Sequence, residues 1–520
     1  MKVLLVSAEV TPFAKVGGLA DVAGSLPKAL HDLGVDIRVL MPKYRSVVNV
    51  AGSDLHRAVE GCAVQMPGFL SGCALDESRL PGSDVPIYFV EHNDYFWRDA
   101  VYGPPGGAYP DNLERLSFLC RAAVALFAPL GWQPDVVHLN DWHTSLIAVL
   151  AKEGSLPFGT VFTGHNLGGA YQGVFPPEQT WISGIDETKP WVPSFLDDNG
   201  LNLARAGLAC ADMITTVSPT YAKELRDPKT GAGVSDLIRE RGKDVQGVLN
   251  GIDYGYWNPE TDPYLSDEDG YATFSLDHLS GKAACKAALQ KEMGLPIQPD
   301  VPLLSIVTRL DDQKGLDLLS EILPGLRGMQ LVVLGTGAKN YEDFFAKQAA
   351  MRPEIVAALK FDEKLAHRIY AGSDIFLMPS RFEPCGLGQM ISLRYGTVPV
   401  ARKTGGLNDT VFETGKSANG FIFEPYTAED FKSALDRALA AYQDKAAWAA
   451  LMARAMKSDN SWTASATRFV GIYEEALAHA VPSRAKKPAA PKKPAAAKPS
   501  AAKKPAAAKK PALKKKPPIQ

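Results

Sequence analysis

Residues 2–24, KVLLVSAEVTPFAKVGGLADVAG, join an apolar run to a pair of glycines. The run at 2–8 is typical of a buried first strand, and glycines after such a strand let the backbone approach a phosphate or a sugar. A dinucleotide-binding GxGxxG loop is excluded because Glu9 to Phe13 intervene, the glycines are adjacent, and the strand predicted at 35–42 ends without an acidic residue for a ribose. The glycine pair therefore indicates a different ligand.

Beyond this stretch, short β-branched runs alternate with helical segments, which is typical of parallel sheets covered on both faces. The predicted strands are 2–8, 35–42, 86–92, 135–141, 159–166, 213–218 and 245–251, then 302–310, 330–335, 374–380, 397–402 and 420–424. A polar passage near 258–300 separates the two series. We predict an α/β protein with two doubly wound, Rossmann-like domains facing across a cleft, at 1–257 and 258–460, and a final helix at 461–480.

The net charge of −2 conceals a strongly asymmetric distribution. Residues 481–520 contain 13 of the 56 Lys and Arg and none of the 58 Asp and Glu, so the rest of the chain carries a net charge of −15. The repeated Lys-Lys-Pro-Ala units of this tail predict disorder, since proline breaks helices and there is little apolar surface to bury. Such a tail either binds a polyanion such as nucleic acid or serves only for solubility.

Cysteine usage and hydropathy predict the compartment. The six cysteines are scattered, without CxxC spacing, which is typical of free thiols in a reducing cytosol. No run of 18 apolar residues occurs, and Glu9 and Pro12 interrupt the first apolar run before a signal-peptide core is complete. We expect a cytoplasmic protein without a membrane partner.

Polar residues follow the predicted strands of the first domain. Asn140 and Asp141 stand where the fourth strand stops, and His165 stands where the fifth stops, in a loop rich in glycine. Ligands of doubly wound sheets bind at these carboxyl ends. Asn and Asp after a strand are more often helix caps than catalytic groups, and both interpretations stay open here.

The second domain carries a sharper set of candidates. Arg309 ends a strand and Lys314 precedes a helix, so that two cations near a helix N-terminus suggest a diphosphate site, with an ordinary surface pair as the alternative. Glu383 stands at a glycine-rich junction between a strand and a helix, where a carboxylate can accept hydrogen bonds from sugar hydroxyls. Gly405 and Gly406 can offer backbone amides to a phosphate.

Together these motifs resemble the bacterial glycogen synthases and plant starch synthases, which are retaining glycosyltransferases of the two-domain GT-B architecture. The matching segments, in the order in which the family has them, are KVGGLADV (15–22), NDWHT (140–144), TGHN (163–166), VLNGID (248–253), TRLDDQKGLDLL (308–319), PSRFEPCGLGQM (379–390) and TGGLNDTV (404–411). They extend over residues 1 to about 478 and exclude the tail.

The resemblance implies transfer of glucose from ADP-glucose to the non-reducing end of an α-1,4-glucan, with the first domain holding the acceptor and closing on a donor bound by the second. It implies catalytic roles for Asp141, His165, Arg309, Lys314 and Glu383. It implies donor contacts for Lys15, Gly17, Gly18, Asp21, Asn250, Phe361, Cys385, Gly386, Leu387, Gly405 and Gly406. From spacing alone, Asp21 is equally a helix cap, and Cys385 is explained as a packed neighbour of Glu383. With two cations available and no DxD-like motif, no cofactor and no obligatory metal are expected.

Two positions depart from the pattern of related transferases. Ile391 stands where many retaining enzymes of this architecture have a glutamate for the ribose, as is also common in glycogen synthases, and Ala338 follows the GTG turn where aspartate is usual. Two other functions remain possible: a sister transferase that uses UDP-glucose or another acceptor, and a glucan-binding scaffold without catalysis.

Overall fold

The computed structural model describes residues 1–104, 107–265 and 267–480, so the tail predicted to be disordered at 481–520 lies outside the described residues. The strands are β1 (Lys2–Val6), β2 (Asp36–Pro42), β3 (His56–Met66), β4 (Phe69–Arg79), β5 (Pro86–Glu91), β6 (Val136–Asn140), β7 (Gly159–Gly164), β8 (Val174–Phe175), β9 (Leu196–Asp197), β10 (Gly200–Asn202), β11 (Met213–Thr216), β12 (Val245–Gly247), β13 (Leu303–Val307), β14 (Gln330–Leu334), β15 (Ile355–Ala358), β16 (Ile375–Met378), β17 (Val398–Arg402) and β18 (Phe421–Phe423).

Helices connect the strands and cover both large sheets. They are α1 (Gly18–Asp32), α2 (Arg45–Ala51), α3 (Asn93–Phe96), α4 (Asn112–Ala125), α5 (Phe127–Leu130), α6 (Leu146–Gly154), α7 (Leu203–Cys210), α8 (Pro219–Glu224), α9 (Ser235–Arg241), α10 (Ser280–Glu292), α11 (Leu316–Ile322), α12 (Lys339–Met351), α13 (Glu363–Gly372), α14 (Gly388–Arg394), α15 (Gly405–Thr410), α16 (Ala428–Gln443), α17 (Lys445–Lys457) and α18 (Trp462–Ala480). None of these described helices combines the length and the hydropathy needed to cross a membrane.

The first large sheet has nine strands in the order β12-β11-β7-β6-β1-β2-β5-β4-β3. Its central strands are parallel and buried on both faces, which explains their unbroken apolar sequences. The seven strands predicted in this half are confirmed. The antiparallel hairpin of β3 and β4, which extends one edge, was not predicted from the sequence.

The second large sheet has six parallel strands in the order β15-β14-β13-β16-β17-β18. Five of them match the predicted strands. The sixth, β15, is a short strand at one edge with only one buried residue, so its sequence lacks the apolar run that marks the others. The prediction of an α/β fold with two doubly wound sheets is confirmed.

Each large sheet has a point where successive strands diverge to opposite sides. In the first sheet this point lies between β1 and β6, and in the second it lies between β13 and β16. The loops that leave neighbouring strands in opposite directions open a crevice there, in which ligands of such sheets bind. The fold therefore predicts two half-sites, one built by the segments after β1, β6 and β7, the other by those after β13 and β16.

The chain crosses between the two halves twice, and the crossings lie side by side. After α17 the chain returns to the first half, where α18 packs on β7 and α1. At the crossing, the Ile252 amide donates to the Asn460 carbonyl at 2.8 Å, and Ile252 forms a bridge with Ser461. The Asn460 amide in turn donates to the Tyr254 hydroxyl at 2.8 Å. The C-terminal helix thus completes the first half, although the second half precedes it in sequence.

Candidate active site between the two sheets

Asn140 and His165 stand at the carboxyl ends of the adjacent strands β6 and β7. Asn140 is fully buried; its Nδ2 donates to the Val6 carbonyl at 3.0 Å, and its Oδ1 lies 2.9 Å from His165 Nε2. Because this amide oxygen can only accept, Nε2 carries the ring proton and Nδ1 remains an acceptor. Removal from water lowers the pKa of His165 to about 3, so the imidazole is neutral at physiological pH.

Asp141 has an unusual backbone conformation, with a φ of 56°. Its Oδ1 accepts the His165 amide at 2.7 Å, which ties the ends of β6 and β7 together. Removal from water raises the pKa of Asp141 to about 7, with a further contribution from the negative charge of Glu9. The helix-cap interpretation is wrong for both Asn140 and Asp141, since their side chains bond across the strand ends and make no cap hydrogen bond to the turn at 142–144.

The loop of the opening motif presents an ion pair. Lys15 Nζ lies 2.7 Å from Asp21 Oδ1, and Asp21 stands in the first turn of α1. Gly17 occupies the N-cap position of α1, so the interpretation of Asp21 as the helix cap is wrong. Burial raises the pKa of Asp21, and the Lys15 ammonium opposes this shift.

A buried carboxylate lies behind this loop. Glu9 is 3% exposed, and its Oε2 accepts the amides of Val16 at 2.6 Å and Gly17 at 2.9 Å. Its Oε1 accepts the Tyr102 hydroxyl at 2.7 Å. The amide of Gly17 is therefore already bonded within the protein. Burial raises the pKa of Glu9, while the bonds from Gly17 and Tyr102 lower it.

The second half contributes a carboxylate and two cations. Glu383 is 5% exposed, and its Oε2 accepts from Lys314 Nζ at 2.8 Å and from Ser380 Oγ at 3.0 Å. Its Oε1 makes no hydrogen bond within the part of the chain that the structure describes. Arg309 reaches across the cleft toward Tyr171, with Nη2 3.4 Å from the hydroxyl. The alternative of an ordinary surface pair is wrong for Lys314, which is committed to a buried carboxylate.

Lys314 is held in place by the glycine that follows it. Gly315 has a φ of +70°, and a Cβ there would lie 1.9 Å from the Pro379 carbonyl oxygen. Only glycine fits, because both the left-handed backbone and the close approach exclude a side chain. The segments after β13 and β16 are thereby packed against each other, which brings Lys314 to Glu383.

Gly405 and Gly406, the glycine pair of TGGLNDTV, were expected to offer their backbone amides to a phosphate. The Gly405 amide donates to Glu224 Oε1 at 2.9 Å, and the Gly406 amide donates to the Glu383 carbonyl at 3.1 Å. A Cβ at Gly405 would lie 2.0 Å from the Glu383 carbonyl oxygen. In this structure both amides are engaged within the protein, and glycine is required here for close backbone packing behind Glu383.

Helices α8 and α15 cap each other across the two halves. Glu224, at the end of α8, accepts the first amide of α15. Asp409, near the end of α15, accepts the Thr220 amide at 2.8 Å and the Thr220 hydroxyl at 2.7 Å near the start of α8. Each carboxylate therefore satisfies donors that the other helix leaves open, which is the usual role of a local cap residue.

Two further contacts close the cleft beside the candidate residues. A side chain at Gly18 would lie 3.7 Å from Leu387 Cδ1, and one at Gly168 would lie 3.5 Å from the ring of Phe382. The loops after β1 and β7 thus leave room for no more than a methyl group between themselves and the loop that carries Glu383. The structure brings the first-half candidates and the second-half candidates to the same crevice.

Three of the remaining candidates lie in segments that follow strands of the second sheet. Cys385 is 4% exposed, lies against the backbone of Asn250, and burial raises its thiol pKa to about 12, so it is a packed neighbour of Glu383. Gly386 has a φ of +77° in the turn that leads into α14. Phe361 precedes α13 with 79% of its side chain exposed, which leaves its ring free to stack on a planar group.

Comparison with known proteins decides the family. Residues 2–240 match the model "Starch synthase catalytic domain" and residues 291–451 match "Glycosyl transferases group 1". A glycogen synthase of Syntrophotalea carbinolica is 46% identical over 492 residues, which cover 92% of this chain and 99% of that protein. One of Anaeromyxobacter dehalogenans is 47% identical over 91% of this chain and 98% of its own length. The chain belongs to the glycogen synthase family. It is a hexosyltransferase.

Two solved structures have the same fold as this chain. The catalytic domain of starch synthase IV from Arabidopsis thaliana, solved with ADP and acarbose, is 35% identical with a TM-score of 0.84, covering 92% of this chain and 99% of that one. A sucrose-phosphate synthase from Thermosynechococcus elongatus, 19% identical with a TM-score of 0.58, shares the fold. The GT-B architecture expected from the resemblance is thus confirmed.

Both departures from the pattern of related transferases have a structural account. Ile391 is 5% exposed on α14 and belongs to the apolar core, so it replaces a polar contact by packing. At the GTG turn, Ala338 offers no side-chain cap, and Glu342 instead accepts the Gly337 amide at 2.9 Å and the Thr336 hydroxyl at 2.7 Å. The turn is therefore stabilised from within α12.

Sequence reasoning missed several residues that shape the crevice, namely Glu9, Tyr102, Tyr171, Glu224 and Ser380. Glu9 could have been found by the criterion that identified Asn140, because both are polar residues at the end of a predicted strand. Glu224 carried no such signal, because its partners Thr404 and Gly405 lie 180 and 181 residues away in sequence.

Proposed function

We propose that this chain transfers the glucosyl unit of ADP-glucose to the non-reducing 4-hydroxyl of an α-1,4-glucan, with retention at the anomeric carbon. One observation carries the proposal: Lys314 and Ser380 hold one oxygen of Glu383 and leave Oε1 open, in a crevice whose opposite edge presents a neutral His165. An acceptor of this kind suits sugar hydroxyls. The relatives are named glycogen synthases, which supports a glucan as the acceptor. The starch synthase IV structure contains ADP, which supports ADP-glucose as the donor.

The distribution of charge suits the bond to be broken. Departure of ADP leaves negative charge on the diphosphate and positive charge on the sugar ring. Arg309 and Lys314 stand on the side of the second half, where the diphosphate would lie. The carboxylates of Asp21 and Asp141 stand on the side of the first half, and the charge of Glu9 behind them contributes to the raised pKa of Asp141. Fixed charges of opposite sign thus face the two products of bond cleavage.

His165 and Asp141 would act on the sugar. We assign the free Nδ1 of His165 to the 6-hydroxyl of glucose, because Asn140 fixes the ring with this acceptor exposed. The His165 carbonyl, held in place through the bond from its own amide to Asp141, would face the developing cation. The Asp141 carboxylate adds negative charge to this edge only when ionised, so the donor pocket works best above the pKa of Asp141.

Retention follows most simply from departure and attack on one face of the sugar. Asp141 is the carboxylate that contacts the His165 segment, yet its Oδ1 accepts a backbone amide and so is poorly placed to form a covalent bond. We propose that the acceptor hydroxyl attacks on the face from which ADP leaves, with the ADP oxygen taking its proton. Closure of the cleft excludes water, which would otherwise hydrolyse the donor.

The nucleotide and the ions complete the proposal. The exposed ring of Phe361 would stack on adenine. Arg309 and Lys314 supply the positive charge at the diphosphate, so we propose that no divalent ion is obligatory. All six cysteines of the chain are unpaired, which supports a reducing, cytoplasmic setting. We also propose that the basic tail binds polyanions without taking part in transfer.

The test is incorporation of labelled glucose into a glucan primer in the presence of EDTA. We expect incorporation from ADP-glucose, with α-1,4 linkages only, and its loss in Glu383→Ala. Incorporation from UDP-glucose alone would overturn the donor assignment and retain the transferase. Binding of the glucan without incorporation from either donor would indicate a scaffold, and loss of activity in EDTA would contradict independence from metal ions.

A further inference from the structure

The glycine-rich loop of the first half is pinned from behind by a residue that the reaction itself does not use. Glu9 accepts two consecutive loop amides, from Val16 and Gly17, through a single carboxylate oxygen. Its other oxygen is held by Tyr102, and its own carbonyl accepts the Ser7 hydroxyl at 2.7 Å. Every polar part of this 3%-exposed side chain is therefore engaged.

The pinned segment determines what the loop can present to a ligand. Lys15 directly precedes it, and Gly18, which follows it, is the first residue of α1. Among the described residues the Gly18 amide has no hydrogen-bond partner, and a side chain at Gly18 would touch Leu387 across the cleft. With the amides of Val16 and Gly17 facing Glu9, the Lys15 ammonium and the Gly18 amide are the donors left to face the second half.

We propose that Glu9 is a positioning residue for the nucleotide sugar: by binding the amides of Val16 and Gly17 it orients Lys15 and Gly18 toward the donor diphosphate. This inference rests on the proposed function, because it concerns the donor of that reaction. Glu9 itself does not touch the donor. In this arrangement Lys15 and Gly18 make the loop's contacts with the donor phosphates. Gly17 makes none, because its amide faces Glu9.

The length and the shape of the side chain are both required. An aspartate is one methylene shorter and, from a position three residues after β1, cannot reach the amides that glutamate accepts at 2.6 and 2.9 Å. A glutamine keeps the length and one amide oxygen that can accept both loop amides, while its NH₂ group can donate to the Tyr102 hydroxyl. Glu9→Asp therefore keeps the charge and loses the reach, whereas Glu9→Gln keeps the reach and loses the charge.

The experiment compares Glu9→Gln, Glu9→Asp, Glu9→Ala and Tyr102→Phe with the wild type. Glu413→Ala is the matched control, since Glu413 also accepts a backbone amide, that of Ile422 at 3.0 Å, and lies outside the crevice. For each purified full-length protein, KM for ADP-glucose, KM for the glucan and kcat are measured, together with the affinity for ADP by calorimetry and the melting temperature.

We expect Glu9→Ala and Glu9→Asp to raise KM for ADP-glucose at least tenfold and to weaken ADP binding by a similar factor, with KM for the glucan within twofold of the wild type. Glu9→Gln should restore both donor constants to within threefold. Tyr102→Phe, which removes one hydrogen bond and keeps the fold, should raise KM for the donor two- to threefold. Glu413→Ala should leave all three kinetic constants unchanged.

Three results would overturn the inference. If Glu9→Ala lowered only the melting temperature, or raised KM for donor and glucan by the same factor, Glu9 would be an ordinary structural cap. If Glu9→Gln were as impaired as Glu9→Ala, charge and not position would be the property required. A wild type that makes no polymer from ADP-glucose would instead contradict the proposed function, and the calorimetric comparison of ADP binding would still decide the role of Glu9.

Discussion

Lys314 and Glu383 form a buried ion pair, with Nζ 2.8 Å from Oε2, in the crevice where the second sheet presents its candidate residues. The Lys314 ammonium therefore has two anionic partners that compete for it, namely the Glu383 carboxylate and the proposed phosphate of the donor. We expect Glu383→Gln to lower kcat about 100-fold, since removal of one preorganised polar group from a transition state typically has this effect. It should leave the affinity for ADP unchanged or improve it, because Lys314 then serves the phosphate alone. Rate measurements with calorimetry of ADP would contradict this if affinity and turnover fell together.

Asp141 predicts an acidic limb in the rate profile. Its pKa of about 7 means that the carboxylate is protonated below that pH, and only the ionised form stabilises positive charge on the sugar. We expect kcat to fall about tenfold per pH unit below pH 7. In Asp141→Asn this limb should disappear at a uniformly lower rate; a limb that persists in the variant would assign the titration to another group.

The same carboxyl group predicts a trend in stability. Its ordinary pKa of 3.8 is raised in the folded state, so between about pH 4 and 7 the folded protein binds more protons than the unfolded chain. Its contribution to the free energy of unfolding is therefore greatest below pH 4 and is lost as the pH rises toward 7. Urea titrations at several pH values should show a smaller decline in Asp141→Asn than in the wild type, and identical slopes would contradict the shift.

Gly315 and Gly328 provide a matched pair of substitutions, since both have a φ of +70°. A Cβ at Gly328 would meet open space, whereas one at Gly315 would lie 1.9 Å from the Pro379 carbonyl oxygen. We expect Gly328→Ala to lower the free energy of unfolding by about 1 kcal/mol and Gly315→Ala by about 3 kcal/mol or more. Denaturant titration measures both, and equal losses would mean that the Pro379 contact can relax without cost.

Phe361 is exposed enough that its removal should affect binding alone. Stacking of an aromatic ring on a base contributes about 1–3 kcal/mol, so Phe361→Ala should raise KM for ADP-glucose about 10-fold without a change in melting temperature. Ile297, which is 59% exposed, provides the control Ile297→Ala. An unchanged KM in Phe361→Ala would remove this residue from the nucleotide site.

Truncation after residue 480 tests the basic tail. The tail carries 13 positive and no negative side chains, so its loss should abolish retention on heparin at low salt. Turnover should be unchanged, since the family resemblance ends before the tail. Heparin retention of the truncated protein would locate the polyanion site on the folded body instead.

Most of the fold could be predicted from the sequence because parallel strands buried on both faces leave unbroken apolar runs, as in β1 and β13. The β3–β4 hairpin escaped prediction because it extends an edge, where exposed and buried positions mix. Strand β15 escaped because only its first residue is buried. Edge elements gain their stability from pairing with a neighbour, and pairing leaves little trace in local sequence.

The candidate site was predictable where a side chain follows a strand, as for Asn140 and His165, and less so where a backbone group matters. Gly405 is a glycine because of close packing on Glu383, and its amide is taken by Glu224 from the other half. A local motif reveals that glycine is required without revealing which neighbour requires it. Contacts between residues 180 apart in sequence arise only once both sheets have formed.

The two crossings between the halves lie side by side, so that they form one hinge with two connections. A single linker would leave the relative orientation of the halves free, whereas the bond between Ile252 and Asn460 joins the two crossings. We therefore expect the cleft to open mainly by rotation about the line of the crossings. Such a rotation would return Lys15 and Glu383 to the same relative position each time the cleft closes. The C-terminal helix therefore also bears on opening: a chain that ended before Trp462 would lose the anchor of the second crossing, together with the helix that packs on β7 and α1 behind one face of the crevice.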